Sequence, residues 1–405
     1  MTEQNDLPDN NAGAPVKSPR KSAMRFIILL GFVSLFADVT YEGARSIIGP
    51  YFSILGASAL TVAMVAGFGE LVGYGLRLFF GYLGDRTGRY WLMTIAGYCI
   101  NLLAVPLLAL ANRWEIAAGL VIMERAGKAV RAPSRDVILS YATKQVGRGW
   151  GFGIHEAMDQ IGALLGPIIV AIALYVRGEY KTGFLILSIP AILAISVLLL
   201  ARFLYPVPRE LDTTDYGKIE SKGFLKAFWI YLAGIACVAA GYADFPLIAF
   251  HFKKIALVSD NWIPIFYSIA MGVDAIAALV FGYLFDRKGM RALVIAIFIS
   301  AWAAPFAFCG DFSGAIIGVV LWGIGMGAQE SIMRAAIVDM VPSNRRGSAY
   351  GIFNTGYGLF WFLGSFAMGT LYGFSLFWLA AFSVAMQLFS IPILLSLAGR
   401  KNNKT

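Results

Sequence analysis

Ionisable residues set inside long apolar runs are the chemistry this sequence offers. In the first run Asp38, Glu42 and Arg45 fall at spacings of four and three, which places them on one helical face. A second group, Glu124, Arg125, Lys128 and Arg131, sits in the fourth run and leads into Ala132-Pro133-Ser134-Arg135-Asp136. The same spacing sets Glu124, Lys128 and Arg131 along one face and turns Arg125 off it. The fifth run opens with His155, Glu156 and Asp159, followed by Gly162-x-x-x-Gly166-Pro167. A charge at the centre of a bilayer costs roughly 3 kcal/mol or more, so these groups are expected to face partners or water. Carboxylates and a histidine there are suited to taking up and releasing protons. Asp38 is the first candidate for that role, and a permanent ion pair with Arg125 or Lys128 is its alternative. His155 has the same two readings, titration or simple capping and pairing.

Helices long enough to cross a bilayer are needed to hold such groups. The chain has 405 residues, 59% hydrophobic and 14% charged, with a mean hydropathy of +0.70. That is far more apolar than a soluble fold of any size can bury. Runs of about 20 residues match a membrane-crossing helix. They cover 26–48, 60–82, 91–111, 114–130, 151–176 and 183–204, then 227–250, 261–285, 292–308, 314–340, 348–371 and 376–397. The expected architecture is all-α and integral to the membrane, with twelve spans in two six-helix bundles at 26–204 and 227–397. Polar segments at 1–25 and 398–405 form the tails, and the charged stretch 205–226 is the linker. Residue 26 onward reads as a retained span rather than a cleaved signal.

The net charge of +9 does not point to nucleic acid, because Lys and Arg are scattered singly between apolar runs. It orients the chain instead. With the amino terminus inside, cytoplasmic segments carry Arg86, Arg89, Arg287, Lys288, Arg291 and most other basic residues. The opposite loops hold only Arg113, Arg177, Lys181, Lys253 and Lys254. Both termini are therefore expected in the cytoplasm of a bacterial inner membrane. Cys99, Cys237 and Cys309 lie in or beside apolar runs without metal-ligand spacing, and the two histidines are far apart. No metal or cofactor is expected. An enzyme is disfavoured by the lack of a nucleophile–base constellation, and ATP-driven transport by the lack of a phosphate-cradling Gly-Lys-Ser/Thr loop.

The halves also repeat. Gly81-Tyr82-Leu83-Gly84-Asp85-Arg86-Thr87-Gly88 is matched by Gly282-Tyr283-Leu284-Phe285-Asp286-Arg287-Lys288-Gly289. Arg131 and Asp136 are echoed by Arg334 and Asp339, and Gly153 and Gly166 by Gly351 and Gly364. A duplicated unit puts a cavity at the shared interface.

Gly81-x-Leu83-x-Asp85-Arg86-x-Gly88-Arg89 resembles the signature loop of the major facilitator superfamily, and Asp286, Arg287 and Gly289 stand where that family repeats it. The resemblance extends from residue 26 to 397. It implies a gating role for both loops and a central cavity lined by helices 1 and 4 of each half. Arg125-x-Gly127 is loosely similar to a family motif in helix 4 linked to proton handling. Gly162-x-x-x-Gly166-Pro167 is similar in part to a helix 5 motif of antiporters, but Ile168-Ile169 replaces its following glycine pair. The expected function is movement of an unassigned small molecule by alternating access, coupled to protons and directed to export or exchange. Proton symport for uptake, or a non-transporting receptor of the same fold, is the alternative. Arg131, Tyr242, Asp244, Trp322, Glu330, Arg334, Tyr357 and Trp361 are candidate cavity liners, and the chain is expected to act as a monomer.

Overall fold

In hydrocarbon every backbone N–H and C=O must be satisfied within the segment, so apolar runs of this length can only be helices. A computed structural model of the chain describes residues 19–146, 148–207, 226–340 and 346–398. The helices are α1 (Pro19–Ile54), α2 (Ala59–Thr87), α3 (Tyr90–Leu107), α4 (Trp114–Val146), α5 (Arg148–Arg177), α6 (Tyr180–Ile186) and α7 (Ser188–Leu204) in the first half. The second half holds α8 (Lys226–Gly241), α9 (Phe245–Lys254), α10 (Trp262–Lys288), α11 (Met290–Ser300), α12 (Ala303–Cys309), α13 (Phe312–Met340), α14 (Arg346–Phe374) and α15 (Leu376–Ala398). The pairs α6/α7, α8/α9 and α11/α12 are each one interrupted pass, which gives twelve crossings. Among the described residues, ten crossings are long and apolar enough to span a bilayer by composition alone. The other two are α4, which carries the charged cluster, and α14, which is rich in glycine.

Several boundaries differ from the apolar runs. The first helix begins at Pro19 rather than residue 26. The fourth continues past residue 130 to Val146 with Pro133 inside it, so Arg131 to Asp136 belong to the helix and not to its exit. The run 227–250 is broken at Tyr242 to Asp244. Helix α9 restarts there because Asp244 has extended backbone at its N-cap and Pro246 stands in the first turn, where a missing N–H costs nothing. Most of the linker expected at 205–226, and both outer tails, lie outside the described residues.

Each copy of the repeated loop ends its helix at a glycine of positive φ. Gly88 has φ 66° and donates its N–H to the Gly84 carbonyl at 2.8 Å. Gly289, at φ 59°, does the same to Phe285 at 2.8 Å. A side chain at that φ is strained, which is why glycine closes both helices.

Glycines also set the closest helix contacts. A Cβ on Gly162 would fall 2.4 Å from the Leu35 carbonyl oxygen, and one on Gly166 2.4 Å from that of Val39, so α5 lies directly on α1. In the second half the counterpart Gly364 brings α14 onto α8, where a Cβ would meet the Ala240 oxygen at 2.1 Å. The halves join where α2 packs along α14, α5 along α10 and α1 along α9. At Gly49 an added Cβ would sit 2.0 Å from the Pro246 oxygen, so α1 lies directly on α9. That contact closes the interface at the end of the molecule away from the two Asp-Arg loops.

Candidate functional site

The interior polar groups form one body in the first half that reaches the second. Arg45 of α1 and Arg125 of α4 converge on a single carboxylate oxygen of α2, Glu70 Oε1, at 3.2 and 3.3 Å. Arg125 Nε also lies 3.4 Å from Glu124 Oε2. Glu124 in turn accepts from Asn101 Nδ2 of α3 at 2.6 Å. Every one of these ionic side chains is at most 13% exposed. In so dry a setting a charge is tolerable only with opposite charge and hydrogen bonds around it, and the arrangement supplies both.

The expected single face of Glu124, Lys128 and Arg131 is split. Glu124 turns to α3, while Lys128 lies over the Tyr41 ring of α1 at 3.9 Å from its centroid. Arg131, 1% exposed, stacks on Tyr98 at 4.3 Å. Arg125, not Lys128, carries the ionic link toward the bundle interface. Asp38 is buried in an electrostatic neighbourhood made by Asp159, Lys128, Arg131 and Glu42. It is paired with neither Arg125 nor Lys128 by a direct contact among those described. Instead the close crossing of Gly162 on α1 sets Asp38 beside α5, where Asp159 projects.

His155 and Glu156 are neighbours in sequence and separate in space. His155 is buried, with Nε2 2.8 Å from the Ser34 hydroxyl and Nδ1 3.6 Å from Asp159 Oδ2. Arg135 donates to the same Ser34 hydroxyl at 3.3 Å and pairs with Asp136. Glu156 is exposed.

The second half contributes aromatic rings and few charges. Trp361 stacks within 5.4 Å of Tyr357 and 5.5 Å of Tyr242, and Tyr242 lies 5.7 Å from Trp322. These four expected liners are buried and share one ladder, which Tyr74 of the first half extends by an edge contact with Tyr357 at 5.4 Å. The Tyr242 hydroxyl donates to the Trp322 carbonyl, and Trp322 Nε1 to the Ala243 carbonyl at 2.8 Å, so the broken backbone around residue 243 is held by rings. Asp244 does not cap α9 with its side chain. Its oxygens accept from Trp361 Nε1 at 2.8 Å and from the Ser365 hydroxyl at 2.6 Å. Glu330 is exposed, and the side chain of Arg334 lies outside the described residues.

The repeated loops do not contact the site. Asp85 is exposed and accepts from the Tyr90 hydroxyl at 3.1 Å, rather than from a helix amino terminus or an arginine. Gly81 packs near Pro133, Arg86 and Arg89 are exposed, and Arg287 stacks on Tyr283 at 4.5 Å. Asp286 is exposed and Gly289 closes its helix.

Two neighbouring residues of α10 bond to the first half: the Tyr267 hydroxyl donates to Glu42 Oε2 of α1, and the Ser268 hydroxyl to the Leu164 carbonyl of α5 at 2.9 Å. Tyr267 was not among the expected site residues, because a lone tyrosine in an apolar run has no distinguishing spacing. Below that bridge, Arg45, Glu70, Arg125 and Asp244 border a narrow crevice. Its remaining walls are Ile48, Phe52, Val62, Val65, Ala66, Val121 and Pro246.

Paired helical bundles around a buried polar centre define a multi-pass membrane protein. The chain belongs to the Major Facilitator Superfamily, whose family model matches residues 28–365 and again 242–404. An uncharacterized protein of Mycobacterium tuberculosis is 38% identical over 94% of both chains. An uncharacterized MFS-type transporter of Methanocaldococcus jannaschii is 24% identical over 82% of this chain and 85% of its own. In fold the chain is similar to a nucleoside transporter, NupG, with a TM-score of 0.73 over 91% of this chain and 99% of that one at 15% identity. It is also similar to a peptide transporter, POT, with a TM-score of 0.70 over 92% and 93% at 14% identity. The protein is thus a membrane transporter and not an enzyme.

Proposed function

We propose that the chain is a secondary transporter that carries a small molecule by alternating access and couples its movement to protons. The proposal sets it in a bacterial plasma membrane with both termini in the cytoplasm. The observation that carries the coupling is the Asp38–Asp159 neighbourhood. Asp38 is buried and Asp159 partly exposed, on two helices that the Gly162 crossing brings together, so gain or loss of one proton there changes the charge balance inside the first half. The interface is closed at Gly49–Pro246, on the side away from the Asp-Arg loops. Rocking the bundles about the centre would part that contact and bring the loop ends together, where Asp85–Arg86 and Asp286–Arg287 act as gating elements.

Purified protein in liposomes loaded with a pH-sensitive dye tests this reading. A substrate-dependent proton flux is expected from the wild type, and its loss in Asp38→Asn with substrate counterflow retained. Proton-driven transport that survives in Asp38→Asn removes that residue from the coupling. Counterflow absent across a broad metabolite library, in folded protein, favours a non-transporting role.

A further inference from the structure

Two buried oxygens on opposite sides of the seam between the halves have no hydrogen-bond partner. One is Oδ1 of Asp274 on α10, a residue 2% exposed, and the other is Oε1 of the half-buried Gln160 on α5. The register of these two antiparallel helices is fixed by the Ser268 hydroxyl, which donates to the Leu164 carbonyl. Gln160 stands one turn from Leu164 and Asp274 less than two turns from Ser268, both displaced toward the Asp-Arg loops. Asp274 also follows Tyr267 by two helical turns, so the two share the face of α10 that meets Glu42 of α1. The Gln160 amide therefore comes beside the Asp274 carboxyl. Helix α13 closes the third side, where a Cβ on Gly327 would fall 2.9 Å from the same Oδ1 and 2.2 Å from the Asp274 carbonyl oxygen.

A carboxylate oxygen and an amide oxygen can only accept. Unpaired in the interior, each carries its full desolvation penalty, and the carboxylate needs a positive partner as well. The neighbourhood does not supply one. The charged groups that bear most strongly on Asp274 are Glu330 of α13, Glu42 of α1 and Glu156 of α5, all carboxylates. Lys128 and Arg131 are turned to the rings of Tyr41 and Tyr98 in the first half. An acidic surround rejects an anion and calls for a cation. The close approach of Gly327 requires that cation to be small, and the one buried carboxylate balances a single charge. We propose that Asp274 and Gln160 bind a small monovalent cation of the sodium class, held between α5 of the first half and α10 of the second. Oxygen ligands from a carboxylate and an amide suit a hard cation. Because the ligands come from both halves, the ion is bound only while α5 and α10 are together, and it stabilises that arrangement. The site shares no oxygen with the Asp38–Asp159 pair and adds a second ion to the proton-coupled reading.

The test is a titration of full-length protein in detergent with radioactive sodium, choline chloride holding ionic strength constant, with thermal unfolding followed in parallel. Wild type should bind sodium saturably, and its Tm should rise with sodium at constant pH. Asp274→Asn keeps the shape and removes the charge, so sodium binding and the sodium-dependent rise in Tm should both vanish. Gln160→Ala removes one ligand and should weaken sodium affinity about tenfold. Ser268→Ala loosens the same pair of helices without touching the ion, and should bind sodium as wild type does, which separates ligation from packing. Should Asp274→Asn fail to fold, the wild-type titration and Gln160→Ala decide alone. No saturable sodium binding by folded wild type overturns the proposal and leaves Asp274 a neutral acid that donates to Gln160 Oε1. Sodium binding retained by Asp274→Asn, unchanged in Gln160→Ala, or weakened equally in Gln160→Ala and Ser268→Ala also overturns it. None of these measurements reads transport, so proton coupling at Asp38 stands or falls separately.

Discussion

The two halves pack alike and are filled differently. Gly166 lays α5 on α1 in the first, and Gly364 lays α14 on α8 in the second, with each missing Cβ replaced by a neighbouring carbonyl. Yet the first half fills its interior with Arg45, Glu70, Glu124, Arg125, Lys128 and Arg131, while the second sets Tyr242, Trp322, Tyr357 and Trp361 around Asp244, with Asp274 of α10 its other buried carboxylate among the described residues. Helix packing demands small residues at fixed places and leaves the remaining positions free. A duplicated scaffold can therefore keep its crossings while one copy specialises in charge and the other in shape.

Perturbing the ionic half should have the largest effect. Arg125→Leu leaves Glu70 with Arg45 alone and takes from Glu124 its only described cation. Breaking one partner out of a buried ion cluster costs about 3 to 5 kcal/mol. Thermal unfolding in detergent should show a clear drop in Tm and transport should vanish. A near-normal Tm would mean that water reaches the cluster and that the contrast between the halves is weaker than drawn.

The shared scaffold predicts a matched pair. Gly166→Leu and Gly364→Leu should each destabilise by about 2 to 3 kcal/mol, the upper range for overpacking, since neither neighbouring carbonyl can give way without parting two helices. Similar losses in the two variants, read from the same unfolding measurement, support common packing. A loss in only one would show that the repeat is not mechanically equivalent.

Within the aromatic half the effects should be smaller. Trp361→Phe keeps the ring in the ladder and removes the donor to Asp244 Oδ1, while Ser365 continues to serve Oδ2. Loss of a hydrogen bond to a charged acceptor is worth about 1.5 kcal/mol here, a modest Tm shift beside that of Arg125→Leu.

The scaffold was largely legible in the sequence, and the site much less so. Apolar runs and the two Gly-Tyr-Leu-x-Asp-Arg copies mark twelve spans and their duplication, because bilayer thickness and φ > 0 turns impose fixed lengths and fixed residues. The break at Tyr242 to Asp244 escaped the hydropathy pattern: those residues sit in a run that is apolar on either side, and only Pro246 marks the restart. Spacing on one helix also predicts partners poorly. Arg125 was set apart by its angle from Glu124 and Lys128, yet that angle is what directs it to Glu70 on another helix. Glu70, at the centre of the cluster, stands out in sequence only as an intramembrane charge with Arg77 two turns on, and neither of its partners is on its own helix. Partners supplied by α2, α3 and α10 depend on how helices cross, which no local pattern encodes.

The bridge between the halves gives the smallest and most specific prediction. Tyr267 donates to Glu42 Oε2 and stacks on Phe245 at 4.3 Å between centroids, so Tyr267→Phe removes the bond and leaves the packing. The bond exists only while α1 and α10 are together, and its loss, worth about 1 kcal/mol, should favour the state in which the Gly49–Pro246 end parts by about fivefold. Val62, which is 2% exposed in the crevice wall, reports on that opening. With Cys99, Cys237 and Cys309 replaced, a cysteine at position 62 should react about fivefold faster with a membrane-impermeant maleimide when Tyr267→Phe is present. An unchanged labelling rate would mean that the α1–α9 contact alone holds the end shut, and that the ionic half is not latched to its aromatic partner through Glu42.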